Sequence, residues 1–304
     1  MSRVLGFVAG AMYALVCVLP AQTVDLPSAL ARLAEEAEAF RLIAPQTISQ
    51  ETLRQKALKM PRGGFRIGAA ASAPRKPVLQ KREIVSEYGF GALQESPKAM
   101  HELRQVVSVD GRVIRSSRKA REKLALGLRS KGDRVKKRML EEFAKHGLVG
   151  AASDFGQIIL LFCKDNIGNY EFAPVREEYA GAEAVFVLRY GPAKDHEELT
   201  IFEGRRAVHS GLSGEIWLRK ADSRPLRISA ASTHKDREVV IRHEIAVEYA
   251  MTPHGAMLPV SVVHREYHDE LEVTENLFRY APFRKFAADS EIKFTELPEG
   301  LTAP

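Results

Sequence analysis

The chain has 304 residues, of which 45% are hydrophobic, so it can form one large globular domain or two small ones. Its 45 Lys and Arg residues oppose 39 Asp and Glu residues, a formal net charge of +6. This surplus is too mild to imply a nucleic acid partner, although it leaves binding to an anionic surface open.

The first 21 residues have the layout of a secretory signal peptide. Arg3 precedes an uncharged apolar run, Val4 to Leu19, which Pro20 and Ala21 follow. This run is shorter than the roughly 20 residues that cross a bilayer, so an uncleaved anchor is the weaker interpretation. We therefore expect an exported protein, periplasmic or secreted, in which residues 22–304 form a single α+β domain.

The next elements are a helix, a segment of ambiguous type and a linker. Apolar residues recur at helical spacing from Leu26 to Phe40, which predicts an amphipathic helix that ends near Ala44. The segment Thr47 to Lys59 is ambiguous between helix and strand. Residues 60–77 are rich in Pro, Gly, Ala and basic side chains without a period, which predicts a flexible segment.

A hairpin and a helical insertion follow. The Asp110-Gly111 dipeptide favours a tight turn between strands Leu103 to Val109 and Arg112 to Arg115. Residues 117–163 change to helical character and are predicted as a helical insertion. Its last part, Asp154 to Cys163, contains the most apolar run of the mature chain, which we interpret as a buried helix that ends at a buried thiol.

The pattern from Tyr170 to Phe294 is almost wholly that of strands. Val239 to Tyr249 alternates as a half-buried strand does, with His243 as one polar residue on the apolar side. Short connections imply a meander of adjacent antiparallel strands. Grouped helices and about ten strands predict an α+β fold, with a curved antiparallel sheet resembling a half-barrel packed against helices.

The clearest strand pair surrounds the single tryptophan. It runs from Gly214-Glu215-Ile216-Trp217-Leu218 through a polar turn to Arg224-Pro225-Leu226-Arg227-Ile228. With the signal peptide, the first amphipathic helix and the ending Tyr280-Ala281-Pro282-Phe283, this pair resembles the periplasmic lipoprotein-sorting, LolA/LolB-like family, or uncharacterised exported bacterial proteins that share its fold.

That resemblance implies an unclosed half-barrel that holds acyl chains between its concave sheet and a helical lid. We accordingly expect a non-enzymatic exported protein that binds or carries a hydrophobic or lipid-like ligand in the cell envelope, with no cofactor and no nucleic acid partner. Large side chains on predicted strands are the candidate ligand-binding residues: Trp217, Phe172, Phe186, Tyr249 and Phe278. The long basic block within 117–163 departs from the compact carriers.

Two alternatives remain. Between Arg115 and Lys145 twelve basic residues accompany four acidic ones, which predicts either a solvated helical surface or an envelope interaction module that binds an anionic surface or a protein. The candidates for that contact are Arg134, Lys136, Lys137 and Arg138.

The second alternative is a metal-dependent hydrolase that uses His264, Glu266 and His268, which would share one face of a strand. The competing interpretation of these residues is a polar sheet surface that faces solvent, and we assign no metal ligand.

Overall fold

The computed structural model describes residues 25–59, 76–150, 152, 154–193, 199–203, 206–236 and 238–286. The signal peptide predicted for residues 1–21 lies outside these ranges, as does nearly all of the flexible segment 60–77. The described helices are α1 (Leu26–Ile43), α2 (Ser117–Arg129) and α3 (Asp133–Ala144). The described strands are β1 (Thr47–Lys59), β2 (Val78–Leu93), β3 (Ser96–Val109), β4 (Arg112–Val113), β5 (Tyr170–Ala180), β6 (Glu183–Pro192), β7 (Leu199–Glu203), β8 (Arg206–Ser210), β9 (Gly214–Arg219), β10 (Pro225–Asp236), β11 (Val239–Met251), β12 (Met257–His268), β13 (Leu271–Tyr280) and β14 (Arg284–Lys285).

Twelve of the described strands form one antiparallel sheet. Its order is β4-β3-β2-β1-β13-β12-β11-β10-β9-β6-β5, with β14 paired to β1, while β7 and β8 form a separate two-stranded sheet. The N-terminal strand β1 therefore lies in the interior of the sheet, between β2 and the late strand β13. The predicted α+β fold with a curved, unclosed antiparallel sheet is confirmed.

The strand register assigns side chains to the two faces of the sheet. Glu51, Leu53 and Gln55 of β1 are buried on the face that α1 covers, which we call the concave face, whereas Thr52 and Arg54 point to the opposite, convex face. Directly paired residues of antiparallel strands share a face, so this assignment extends across the whole sheet.

The helices cover different faces. Phe40 of α1 contacts Phe90 of β2 on the concave face, with ring centroids 5.1 Å apart. Helices α2 and α3 instead cover the convex face of the first strands, where a second apolar cluster forms from Ile48, Leu103, Leu124 and Met139. Gly89 allows this approach, because a Cβ atom there would lie 3.1 Å from a methyl group of Leu128 and 3.2 Å from the Thr47 carbonyl.

Three sequence interpretations are resolved or corrected. The ambiguous segment Thr47 to Lys59 is a strand, and the Asp110-Gly111 turn joins β3 to a very short β4. The buried helix expected from Asp154 to Cys163 was wrong: only a 3-10 turn forms, Ile158–Phe162. The backbone groups before this turn bond to side chains of the sheet, so they do not form a helical hydrogen-bond ladder.

No helix among the described residues is long and apolar enough to span a membrane.

Candidate functional site

Residues 154–162, which we call the covering segment, lie on the concave face of the sheet beside α1. The ring of Phe155 stacks on His264 of β12, with centroids 4.3 Å apart, and meets Phe278 of β13 edge-on. The ring of Phe162 contacts that of Tyr190 of β6, with the two ring centroids 4.9 Å apart. The covering segment therefore fills the space over the middle of the sheet with its own apolar side chains.

Polar side chains of the sheet fasten the covering segment. The carboxylate of Glu102 accepts hydrogen bonds from the backbone N–H groups of Asp154 at 2.9 Å and Gly156 at 2.7 Å. The Tyr249 hydroxyl donates to the Gly156 carbonyl at 3.0 Å and accepts from the Ile159 N–H at 3.2 Å. Side chains of β3 and β11 thus satisfy buried backbone groups that no helix or sheet ladder satisfies.

A buried ionic cluster lies next to this anchor. The Arg104 guanidinium binds both carboxylate oxygens of Glu51, at 2.7 and 2.8 Å, and one oxygen of Glu102 at 2.6 Å. Each of the three side chains is at most 1% exposed. Burial raises the pKa of Glu102, although the adjacent Arg104 charge acts in the opposite direction. The Tyr88 hydroxyl donates to this carboxylate at 2.8 Å.

A cavity of about 180 Å³ opens at the β3 edge of the sheet, beside Arg104. Its lining residues are Arg104, Val106, Ile114, Arg115, Glu142, Phe143, Lys145 and His146. The buried Val106 and Phe143 form an apolar floor, whereas Ile114 is 50% exposed and lies at the mouth. Phe143 also belongs to the main core, so its side chain separates the cavity from the apolar interior.

The cavity mouth carries positive charge. Arg115 and Lys145 both reach it, and the single acidic residue of the lining, Glu142, is paired with Lys123 at 3.2 Å. Burial lowers the pKa of His146, an effect that Glu142 opposes and Arg115 reinforces. The mouth therefore attracts an anionic group, while the floor accepts an apolar one.

A hydrogen-bonded polar row crosses the other end of the concave face. Asn276 donates to Nδ1 of His264 at 3.1 Å, so Nε2 of this ring carries the proton and points to Nδ1 of His243 at 3.1 Å. Gln55 donates to the Asn276 side-chain oxygen at 2.7 Å and exchanges two hydrogen bonds with the backbone of Val149. Burial and the neighbouring His243 lower the pKa of His264 to about 3.

The metal-site alternative and the solvent-facing interpretation both concern this row. His264 is fully buried and Glu266 is 8% exposed, so the solvent-facing interpretation of these two residues was wrong. The carboxylate of Glu266 accepts from His268 at 2.8 Å, whereas His264 bonds to its neighbours on β11 and β13. Within the described part of the chain, no group of three or more His, Cys, Asp or Glu side chains is arranged to hold a metal ion.

The five predicted ligand-binding residues do not share one surface. Phe186, Tyr249 and Phe278 are buried on the concave face. Phe172 packs there against Phe162, with the two ring centroids 5.8 Å apart. Trp217 instead lies on the convex face, because its neighbours Ile216 and Leu218 belong to the main core and successive residues of a strand point to opposite faces.

The environment of Trp217 on the convex face is well defined. It forms a small cluster with Val185 and Val187. Its indole N–H donates to Glu178 at 2.5 Å, and the Arg227 guanidinium lies 4.7 Å from the ring centroid. It is thus separated from the other four residues by the sheet.

The four basic candidates on α3 differ in exposure. Lys136 is 7% exposed and donates to the Ala92 carbonyl at 2.6 Å, and Lys137 pairs with Glu95 at 2.5 Å. Arg134 and Arg138 are exposed. Two of the four side chains therefore already bind groups of the protein.

The ionic cluster of Arg104, Glu51 and Glu102 was not found from the sequence. The sequence does contain one indication of it: Glu51 lies two residues from Leu53 and Arg104 two residues from Val106, so each charged side chain points to the same face of the sheet as an apolar one. A charged residue at a position of core parity indicates a buried partner, but only the pairing of β1, β2 and β3 shows which partner it is.

No family model matches the chain, and no curated protein matches it. Solved structures similar to it include the following two. One is the LolA superfamily protein NE2245 from Nitrosomonas europaea, at 12% identity over 85% of this chain and 94% of that chain, with a TM-score of 0.33. The other is a DUF1329 family protein from Desulfovibrio piger, at 12% identity over 88% of this chain and 98% of that chain, with a TM-score of 0.32.

Proposed function

We propose that this protein binds a hydrophobic or lipid-like ligand on the concave face of its sheet, without catalysing a reaction. The observation that carries the proposal is the cavity beside Arg104, with an apolar floor and a basic mouth. Such a site fits an amphiphile whose tail contacts Val106 and Phe143 while its anionic head meets Arg115 and Lys145. Export to the cell envelope, as expected from the N-terminal residues, belongs to the same proposal.

The size of the cavity indicates what must move for a long ligand. Sites for drug-sized ligands have volumes of about 300 to 1,000 Å³, so a cavity of about 180 Å³ accepts only part of a longer chain. Further space requires displacement of Phe143, which forms the boundary to the core, and then of the covering segment. The covering segment is suited to displacement because side chains of Glu102 and Tyr249 hold its backbone, rather than a sheet ladder.

A binding role also agrees with the hydrogen bonding of the buried carboxylates. The two buried carboxylates beside the cavity are engaged: Arg104 binds that of Glu51, and Arg104 together with the Gly156 N–H binds that of Glu102. The third carboxylate, that of Glu142 in the lining, pairs with Lys123. General acid or base catalysis requires a group within hydrogen-bond reach of the reacting atom. The carboxylates of Glu51 and Glu102 are at most 1% exposed, which favours a positioning role for them.

Ile114 and its neighbour Val113 supply a matched test. Ile114 lines the cavity and is half exposed, so Ile114→Trp fills the mouth without disturbing the core. Val113 is 70% exposed and does not line the cavity. In titrations with a dansyl-labelled fatty acid, Ile114→Trp should weaken binding at least about tenfold, which corresponds to about 1.4 kcal/mol. Val113→Trp should leave the dissociation constant unchanged.

The head-group contact has its own test. Lys145→Gln should weaken binding of the fatty acid but not of its methyl ester, which has no carboxylate charge. Native mass spectrometry and lipid extraction of protein purified from its own envelope would identify the natural ligand. Equal affinities of Ile114→Trp and Val113→Trp, or no binding of any amphiphile by the unmodified protein, would reject the proposal.

A further inference from the structure

The outer surface of the hairpin formed by α2 and α3 has two exposed apolar residues surrounded by positive charge. Leu126 is 66% exposed and Val135 is 42% exposed. Val135 lies next to Gly127, the residue after Leu126, because a Cβ atom added at Gly127 would lie 3.5 Å from a methyl group of Val135. The exposed basic residues of the same two helices and their connection are Arg118, Lys119, Arg129, Lys131, Arg134, Lys137 and Arg138.

The acidic residues of this hairpin neutralise only part of that surface. Glu142 pairs with Lys123, and Asp133 accepts hydrogen bonds from the backbone N–H groups of Gln94 and Glu95. Glu122 lies 4.0 Å from Arg118. The remaining acid of residues 117–146, Glu141, is exposed and lies within one helical turn of Arg138.

Five exposed cations of α2, α3 and their connection have no ion pair with any described residue: Lys119, Arg129, Lys131, Arg134 and Arg138.

The packing of the hairpin directs this surface away from the protein. Leu124 and Met139 point to the convex face of the sheet, and Gly127 allows α3 to approach α2 closely. Leu126 lies on the opposite side of α2 from Leu124, since two residues span about 200° of a helix. The folded protein therefore presents Leu126 outward, while Val135, which is 42% exposed, lies at the edge of the contact between α2 and α3.

We propose that this helical surface docks the protein on an anionic phospholipid bilayer, with Leu126 and Val135 inserted among the head groups and the five unpaired cations in contact with lipid phosphates. An amphipathic surface of this type binds through buried apolar area together with attraction to anionic lipids. A bilayer supplies phosphates for the cations and an apolar phase for the exposed aliphatic side chains on one continuous surface, whereas an acidic protein partner is matched here by charge alone. The docking surface is on the convex face, so the inference goes beyond the ligand site and does not depend on it.

The basic residues of this surface differ from the four candidates predicted from the sequence alone. Lys136 and Lys137 are not part of the proposed surface. The buried Lys136 donates a hydrogen bond to the Ala92 carbonyl, and Lys137 is paired with Glu95. Arg134 and Arg138 stay, and Arg129 joins them from the end of α2.

Vesicle co-sedimentation with the full chain tests the proposal. Each Lys or Arg near an anionic membrane strengthens binding about fivefold, so Arg129→Gln, Arg134→Gln and Arg138→Gln combined should weaken binding about 100-fold. The vesicles contain phosphatidylcholine with or without phosphatidylglycerol. The matched control combines Arg54→Gln, Arg189→Gln and Arg279→Gln, which removes three exposed charges from β1, β6 and β13 and should keep full binding.

A second variant separates insertion from charge. Leu126→Ser should weaken binding to phosphatidylglycerol vesicles about tenfold or more, because it removes the larger exposed aliphatic side chain. All variants keep the same N-terminal residues, so any contribution of that apolar segment is common to them. Circular dichroism confirms that each variant is folded.

Three outcomes would overturn the inference. The first is equal binding by the helical triple variant and the control triple variant. The second is full binding by Leu126→Ser together with release by heparin, which would identify a general polyanion surface. The third is equal binding to vesicles with and without phosphatidylglycerol.

Discussion

Acidification should destabilise the folded protein through His264. Its pKa is lowered from 6.5 to about 3, because burial and the adjacent His243 disfavour the charged imidazole. In the unfolded chain this group takes up a proton as the pH falls below about 6.5. In the folded protein it stays neutral until about pH 3. The contribution of His264 to stability is therefore complete above pH 6.5 and is lost as the pH falls through this window.

The size of the effect follows from the shift. Each pH unit inside the window costs about 1.4 kcal/mol of unfolding free energy. Between pH of about 7 and about 5, the loss is about 2 kcal/mol, since about 1.5 units of the window are crossed. The ring contacts the His243 ring, the Asn276 amide and the Phe155 ring, and none of these three carries a negative charge that would stabilise the protonated form.

Urea unfolding followed by circular dichroism at both pH values measures this loss. His264→Gln keeps a hydrogen-bonding side chain but does not titrate, so it should lose about 2 kcal/mol less than the unmodified protein between the two pH values. His268→Gln is the control, because His268 lies on the same strand and is 41% exposed. The reasoning is refuted if His264→Gln shows the same decrease as the unmodified protein.

Three further predictions concern stability and reactivity. Arg104→Met leaves two carboxylates buried without their partner and should cost about 3 to 5 kcal/mol in urea unfolding, whereas Arg54→Met at an exposed pair should cost less than about 1 kcal/mol. Gly214→Ala places a Cβ atom 2.0 Å from the Ser229 carbonyl oxygen and should cost about 1 to 3 kcal/mol, or prevent folding, as thermal unfolding will show. Burial raises the pKa of the Cys163 thiol to about 11. At about pH 8 this thiol should therefore react with a chromogenic disulfide only after denaturation, and rapid labelling of the native protein would contradict the burial.

The sheet could be predicted because its strands have a period of two over long stretches. Val239 to Tyr249 shows the alternation clearly, and the paired register of β11 with β10 and β12 agrees with it. The face to which each strand points could not be predicted, since alternation alone does not say which parity is concave. Trp217 shows the consequence: it shares a strand with concave residues but points to the other side.

The covering segment escaped prediction for a different reason. Its apolar run matches a buried helix in composition, yet its backbone is satisfied by side chains distant in sequence. Glu102 lies 52 residues before Asp154, and Tyr249 lies 90 residues after Ile159. A local pattern contains no information about such partners, which exist only once β3 and β11 have paired with their neighbours.

The cluster of Arg104, Glu51 and Glu102 is better explained by its position than by stability. A buried ion pair contributes little compared with apolar residues of similar volume, because desolvation offsets the attraction between the charges. The cluster does, however, hold the covering segment through Glu102 and borders the cavity through Arg104. Two variants separate these properties: Arg104→Met should lower stability, whereas Ile114→Trp should lower ligand affinity at unchanged stability. If Ile114→Trp instead destabilised the fold as much as Arg104→Met, the cavity would be part of the structural core and not a separate site.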